Sequence, residues 1–210
     1  MVRVGLTGGI ACGKSTVGKM FSEMSAHIIE ADSIAHELYR PGEPVYQELV
    51  EKFGKDILRP DAEIDRARLA SLAFDDGRVQ ELNRIVHPAV IKRQEQWMYQ
   101  VGKKDPYAIT MVEAALIIEA GAKGRFDKII VVTCKPEQKV VRYAQRAGIP
   151  ESAARAEVER RSKAQLTDAE KVRRADYVID NSGPIDLTRH QVERIYAELK
   201  VLAKRLSFER

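Results

Sequence analysis

One segment near the start of the chain constrains the fold more than any other feature. Residues 8–16 read Gly-Gly-Ile-Ala-Cys-Gly-Lys-Ser-Thr and match the pattern G-x-x-x-x-G-K-[ST] at every fixed position. The apolar run from Val2 to Leu6 predicts a buried strand before it, and a helix is expected after it, from about Lys14 to Met24. A strand, a glycine-rich loop and a helix in this order predict an α/β domain whose loop holds an anion.

Each residue type in this loop has a physical reason to hold a polyphosphate. Glycines let backbone N–H groups turn toward the anion without Cβ clashes, and the following helix adds its positive dipole end. Lys14 supplies a movable charge for the β- and γ-phosphates, and the Ser15 hydroxyl is a ligand for Mg²⁺. The weaker interpretation is a glycine turn with a coincidental Lys-Ser pair. The residues expected to bind a nucleoside triphosphate are Gly8, Gly9, Ile10, Ala11, Cys12, Gly13, Lys14, Ser15 and Thr16.

The rest of the chain alternates short apolar runs with helical patterns. Further strands are predicted over 26–30, 107–113, 128–133 and 177–180, and helices over 136–147, 152–163 and 185–206. This alternation predicts a five-stranded parallel sheet flanked by helices. The segment 32–103 is helical only, so we interpret it as a helical lobe inserted into a core formed by 1–31, 104–135 and 175–210.

The charge of the chain is concentrated in one segment. The 35 basic and 31 acidic residues leave a net charge of +4, and the whole excess lies between Lys135 and Asp176. Lys139, Arg142 and Arg146 fall at i, i+3 and i+7 and share one helical face, where the two arginines would neutralise charge during phosphoryl transfer. The segment 136–174 is therefore predicted to be a mobile lid; a solvated helix face remains the alternative.

Two carboxylates are expected at the edge of the sheet where parallel strands end. Asp32 follows the second strand and is the candidate base for an attacking hydroxyl; its alternative role is to cap a helix beginning at Ser33. Glu113 ends the third strand and is a candidate to hold Mg²⁺ through water; its alternative is an exposed position at the end of the strand.

The two cysteines, Cys12 and Cys134, offer neither a disulfide framework nor a paired metal motif, which indicates a reduced intracellular chain. Cys12 precedes a helix and a lysine, so a reactive thiol with a lowered pKa and a small, tolerated side chain are both open interpretations.

Several classes of protein are excluded. The chain shows no leader at its start, its apolar runs are too short to span a bilayer, and its aromatic residues, 6% of the chain, do not interleave with the basic ones. No Asn-Lys pair of a guanine-reading motif occurs. We therefore expect a soluble cytoplasmic protein that binds small anions rather than nucleic acid or membrane, in an oligomeric state that the sequence leaves open.

Further segments carry a resemblance to one family. They are Leu6-Thr7-Gly8-Gly9-Ile10, Ser15-Thr16-Val17, Ala31-Asp32, Leu82-Asn83-Arg84-Ile85-Val86-His87-Pro88, Glu137-Gln138 with Arg142 and Arg146, Arg161 with Gln165, Ala175-Asp176, and Asp180-Asn181-Ser182-Gly183. With these segments the chain resembles the dephospho-coenzyme A kinases over nearly its whole length.

The resemblance implies a kinase with a nucleotide core, a helical substrate domain and a lid. Such a kinase uses ATP and Mg²⁺ to phosphorylate the ribose 3′-hydroxyl of dephospho-coenzyme A. It implies that Asp32 is the base, that Lys14 and Arg142 act with it, and that Arg142, Arg146 and Asn181 contact ATP. The acceptor site that it implies consists of Asp32, His87, Glu113, Leu116 and Arg161.

The sequence departs from the family pattern at three places. Ala11-Cys12 stands where Gly-Ser is usual, Glu30 stands where Asp is common, and residues 113–119 differ from Asp-x-Pro-Leu-Leu-Phe-Glu. The loop backbone and the carboxylate charges are kept, so only the metal shell around Glu113 is less defined. A kinase of another small hydroxyl or nucleoside monophosphate, and an ATPase that binds nucleic acid, are the alternatives.

Overall fold

A five-stranded parallel sheet forms the centre of the protein, as the sequence predicted. The computed structural model describes residues 1–75 and 77–209. The strand order is β2-β3-β1-β4-β5. The strands are β1 (Val2–Gly8), β2 (His27–Glu30), β3 (Ile109–Glu113), β4 (Lys128–Thr133) and β5 (Tyr177–Asp180).

The three central strands bring Glu113 and the start of the phosphate-binding loop together at their carboxyl ends. β1 lies between β3 and β4, and the apolar side chains of all three strands are almost fully buried. In this register Leu6 lies beside Glu113, and Gly8 lies beside Val132. The start of the phosphate-binding loop therefore emerges between the ends of two buried strands, as expected for a ligand crevice in a parallel sheet.

The described residues contain nine α-helices. They are α1 (Lys14–Glu23), α2 (Ala31–Leu38), α3 (Pro44–Phe53), α4 (Arg66–Asp75), α5 (Val79–Lys104), α6 (Pro136–Ala147), α7 (Glu151–Lys163), α8 (Asp168–Val172) and α9 (Ile185–Glu209). Short 3₁₀ turns cover Lys55–Ile57 and Ala122–Arg125. In the described parts of the chain, no helix is both long and apolar enough to cross a bilayer.

The chain divides into two compact units. One contains Met1–Ile28 and the chain from Gln100 onward, and the other contains Ile29–Tyr99. The second unit is helical and has its own core, in which Ile34, Leu49 and Leu69 are at most 2% exposed. A separate core shows that this segment packs as a lobe in its own right rather than as a simple crossover.

The pair His87-Pro88 lies inside a helix rather than at its end. Helix α5 runs over 26 residues and continues through Pro88. A proline inside a helix costs about 3 kcal/mol, because it lacks an N–H and crowds the preceding turn. Ile85, Val86 and Val90 are buried in the core of the helical unit, and burial contributes about 1.5–3 kcal/mol for each such side chain. Tertiary packing therefore outweighs the local preference to end the helix.

Candidate active site

Two glycines give the phosphate-binding loop a shape that other residues cannot adopt. Gly8 has φ 153°, and a Cβ there would overlap the carbonyl oxygen of Val132. Gly13, the N-cap of α1, has φ 93°, and a Cβ there would overlap the side-chain amide of Asn181. Both glycines thus permit a positive φ and a close approach of neighbouring groups. Ala11 also has a positive φ, 53°, although alanine carries a Cβ.

The loop borders a cavity that has the composition of a polyphosphate site. Its volume is about 580 Å³, and its wall is built from Ala11, Gly13, Lys14, Ser15, Thr16, Arg142, Gln145 and Arg146. The Lys14 ammonium donates hydrogen bonds to the carbonyl oxygens of Gly8 and Gly9, at 3.3 and 3.2 Å. Lys14 is thus held over the loop by neutral groups, and its charge remains available to an anion.

Ser15 and Glu113, the two candidate metal ligands, lie together. The Ser15 hydroxyl donates to Glu113 Oε1 at 2.8 Å, and Glu113 is only 8% exposed, which contradicts the alternative of a surface position. Mg²⁺ takes oxygen ligands and is often held by one or two protein groups together with substrate phosphates. The described residues contain no cluster of three His, Cys, Asp or Glu side chains suited to a metal. This hydroxyl–carboxylate pair fits Mg²⁺ that is bound jointly with a nucleotide.

Arg142 and Asn181 both donate hydrogen bonds to the backbone of the phosphate-binding loop. The Asn181 amide donates to the carbonyl oxygen of Cys12 at 2.9 Å, and Arg142 donates to the same oxygen at 3.4 Å. Arg142 also donates to the carbonyl oxygen of Asn181 at 2.9 Å. Thr188, which is fully buried, donates to Asn181 Oδ1 at 3.0 Å and so fixes which way the amide faces. No sequence signal pointed to Thr188, because its only link to the loop is tertiary.

Replacing Thr188 with valine is expected to weaken the hydrogen bonding that holds Asn181 against the loop. The change keeps the shape of the side chain but leaves Asn181 Oδ1 buried without its donor, which costs about 1–3 kcal/mol. At roughly 2–4 °C per kcal/mol for a chain of this size, the melting temperature should fall by several degrees. The KM for ATP should rise severalfold, since the amide no longer holds the loop.

Thr188→Ser is the matched control, because it keeps the hydroxyl. It should stay close to the wild type in both thermal melting and ATP titration. An unchanged melting temperature and KM in Thr188→Val would contradict a positioning role for this residue.

Lys139, a third residue of the predicted lid, also lies against the loop. Lys139 Nζ pairs with Asp168 Oδ2 at 2.6 Å, and the Lys139 side chain is 11% exposed. A Cβ at Gly9 would lie 2.9 Å from atoms of both partners, so this ion pair packs directly over the loop. The helical spacing placed Lys139 on the face of Arg142, but Asp168 and the pairing were not predicted.

The other predicted lid arginines lie around one tyrosine. The guanidinium carbons of Arg146 and Arg161 are 5.4 and 5.7 Å from the centre of the Tyr143 ring. Glu157 accepts hydrogen bonds from Arg160 and Arg161, and these two guanidiniums lower the pKa of the Glu157 carboxyl to about 2. Arg146 lines the loop cavity, whereas Arg161 is neutralised by a carboxylate.

The side chain of Cys12, which belongs to the loop, is buried and not exposed to solvent. Burial raises the pKa of its thiol, although the nearby ammonium groups of Lys14 and Lys139 act in the opposite direction. A thiol with a raised pKa is a poor nucleophile at neutral pH. The structure therefore favours the interpretation of Cys12 as a small side chain that the loop tolerates.

Asp32 and His87, two predicted site residues, belong to the helical unit. Asp32 is exposed in the first turn of α2, and that helix begins at Ala31 with Glu30 as its N-cap. The alternative that Asp32 caps a helix starting at Ser33 was therefore wrong. His87 is exposed within α5. Leu116 lies after β3 in the other unit and is 43% exposed.

Comparison with known proteins identifies the family. The family model of dephospho-CoA kinases matches residues 2–186. The chain belongs to the dephospho-CoA kinase family. This kinase is 42% identical to the dephospho-CoA kinase of Aquifex aeolicus over 200 residues, which cover 95% of this chain and 98% of that one.

Solved structures agree with this assignment. A dephospho-CoA kinase from Campylobacter jejuni superimposes with a TM-score of 0.68 at 26% identity, over 94% of this kinase and 96% of that chain. The protein TT1252 from Thermus thermophilus superimposes with a TM-score of 0.76 at 27% identity, over 94% and 97% of the two chains.

Proposed function

We propose that this kinase transfers the γ-phosphate of ATP to the ribose 3′-hydroxyl of dephospho-coenzyme A, which yields coenzyme A and ADP. Coenzyme A synthesis ends with this step. The observation that carries the proposal is the family match together with a loop cavity lined by Lys14, Ser15 and Arg142, in which Ser15 is hydrogen-bonded to Glu113. We place the reaction in the cytoplasm, and both free cysteines, Cys12 and Cys134, suit a reducing compartment.

The loop residues are proposed to bind ATP and to stabilise the transferring group. The backbone N–H groups of residues 8–16 surround the phosphates, and Lys14 exchanges its carbonyl partners for phosphate oxygens. Arg142 and Arg146 line the same cavity and neutralise charge on the equatorial oxygens as the γ-phosphate moves. Asn181 keeps the loop in the shape that these contacts need.

Asp32 is proposed as the general base. It accepts the proton of the acceptor hydroxyl while that oxygen bonds to the γ-phosphorus, and the bond from the γ-phosphorus to the bridging oxygen of ADP breaks. Ser15 and Glu113 would hold Mg²⁺, which neutralises charge on the β- and γ-phosphates when bound. His87, Leu116 and Arg161, together with Glu113, are proposed to contact the acceptor.

The test is a phosphorylation assay with a panel of acceptors. ADP release is followed with dephospho-coenzyme A, with nucleosides and with nucleoside monophosphates, and ³¹P NMR locates the new phosphate on the product. A phosphate on the 3′-oxygen and the highest kcat/KM for dephospho-coenzyme A are expected. Equal or faster turnover of a nucleoside monophosphate would overturn the proposal, and so would ATP hydrolysis stimulated by RNA or DNA in a salt-sensitive manner.

A further inference from the structure

The helical unit contains a second cavity, which is strongly basic. It has a volume of about 260 Å³ and is lined by His36, Tyr39, Arg40, Arg59, Glu63, Ile64 and Arg66. All of these residues belong to the unit Ile29–Tyr99. Three guanidiniums, one imidazole and one phenol therefore face a single carboxylate, a composition that suits an anion with several oxygens.

The walls of this pocket are fixed by their own contacts. One wall is helix α2, and the other is a short hairpin closed by a bridge between Leu58 and Ile64. The Tyr46 hydroxyl donates to the carbonyl oxygen of Ala62 at 2.7 Å and anchors the turn of the hairpin. Asp65 accepts the first N–H groups of α4, which lowers the pKa of its carboxyl and fixes the start of that helix at Arg66.

The positive charges of the arginines in the pocket are compensated only weakly by carboxylates. Arg66 lies within hydrogen-bond distance of His36 Nε2, so its partner is an imidazole rather than a carboxylate. Within the parts of the chain that the structure describes, the Arg40 side chain has no hydrogen bond or ion pair. Arg59 reaches Asp65 Oδ2 only at 3.9 Å, with half of its side chain exposed. Burial raises the pKa of Tyr39, which keeps its hydroxyl protonated as a donor.

The pocket shares a helix face with the proposed base. Asp32 and His36 stand at i and i+4 on α2, Tyr39 is the C-cap of that helix, and Arg40 follows it. Neighbours at this spacing lie about one helical turn apart, roughly 5.4 Å. In a nucleoside 5′-diphosphate ester, the 3′-hydroxyl and the α-phosphate are carried by the same ribose and are separated by about the same length as this turn.

We propose that this basic pocket binds the 5′-diphosphate of the acceptor and so places the ribose 3′-hydroxyl at Asp32. The α-phosphate lies next to His36 and Arg66, and the β-phosphate lies next to Tyr39, Arg40 and Arg59. The inference rests on the proposed function, and it explains how the acceptor is chosen. A nucleoside offers these arginines no phosphate, and a nucleoside monophosphate offers only one, so both leave guanidiniums without partners.

The test compares Arg66→Gln and Arg40→Gln with the wild type. A charged hydrogen bond to phosphate is lost in each variant, so the KM for dephospho-coenzyme A should rise about ten- to hundredfold while the KM for ATP is unchanged. With adenosine as acceptor, kcat/KM should be low and equal in wild type and variants. Arg93→Gln is the matched control, since Arg93 pairs with Glu43 in the same unit and does not line the pocket.

A binding measurement separates this inference from the proposed function. Dephospho-coenzyme A is titrated calorimetrically into each protein saturated with ADP, so that the phosphate-binding loop is already occupied. If wild type turns over dephospho-coenzyme A and both arginine variants keep its KM and affinity, the pocket assignment is overturned and the function stands. If wild type makes no product but both variants still lose affinity, the function fails and the pocket stands.

An equal loss with adenosine would show general damage and also overturn the assignment. Among the described residues Arg40 has no partner to lose, so Arg40→Gln tests the proposal even if Arg66→Gln fails to fold.

Discussion

Replacing Asp32 with asparagine is expected to lower kcat for dephospho-coenzyme A by roughly 10²–10⁴-fold, the usual contribution of a general base. The amide of asparagine keeps the size of the side chain but cannot take the proton of the attacking hydroxyl. Because Asp32 belongs to the helical unit and the phosphate-binding loop belongs to the other unit, the KM for ATP should stay within about twofold. Stopped assays at saturating concentrations of both substrates measure this change directly.

Glu37→Gln is the matched control for Asp32→Asn. Glu37 lies on the same helix and is exposed, so its replacement removes the same charge from α2 without touching the proposed base. Asp32 also stands in the first turn of the helix, where a carboxylate stabilises by about 0.3–1 kcal/mol. A drop of a few degrees in melting temperature is therefore expected with Asp32→Asn. If kcat stays near that of the wild type, Asp32 serves only the helix.

Replacing Lys14 with alanine is expected to reduce kcat/KM for ATP by roughly 10²–10³-fold, the loss typical of one well-placed group that stabilises transferring charge. Lys14 reaches over the loop to the carbonyl oxygens of Gly8 and Gly9, and it is the only lysine among the described residues that line the cavity. Its charge is needed in both the bound state and the transition state. Calorimetry should therefore show weaker ATP binding as well as slower turnover.

Lys19→Ala serves as the control for Lys14→Ala, since Lys19 is an exposed lysine on the same helix α1. Thermal stability should be nearly the same in both variants, because the two hydrogen bonds of Lys14 reach carbonyl groups at the solvent-lined cavity. The affinity of the ADP-free protein for dephospho-coenzyme A should also be kept. ATP binding at wild-type strength in Lys14→Ala would contradict the assignment of the loop.

The sheet core was predictable because its signals are local. The β-branched run of β4 and the helix α6 have the bounds that the sequence predicted, and β5 also agrees. β1 extends two residues further than expected, to Gly8, because its last residues pair with Val131 and Val132. Helix α8 was missed, although Thr167 and Glu170 form the reciprocal cap that marks a helix start. Five residues give too weak a periodic pattern to reveal a helix.

The residues of the candidate site were predictable only where a local sequence signal contains them. The sequence of the loop identifies Lys14 and Ser15, and the end of a strand identifies Glu113. The pair Lys139–Asp168 joins helices α6 and α8, and the pair Thr188–Asn181 joins α9 to the residue after β5, so no spacing within one element marks them. The basic pocket was hidden for the same reason, since Arg40 follows α2 and Arg66 begins α4, with an unpredicted hairpin between them.

The lysines and arginines near the loop differ in whether they face carbonyl oxygens or carboxylates, and this difference affects how fast ATP binds. Lys14 and Arg142 are oriented by carbonyl oxygens, which hold a cation in place without cancelling its charge, whereas Lys139 and Arg161 face carboxylates. The empty loop therefore keeps a positive potential that draws ATP in by diffusion. Capture of this kind weakens as salt shortens the Debye length, which is about 10 Å at 0.1 M. Stopped-flow mixing should show the association rate of ATP falling with ionic strength, while the dissociation rate changes far less.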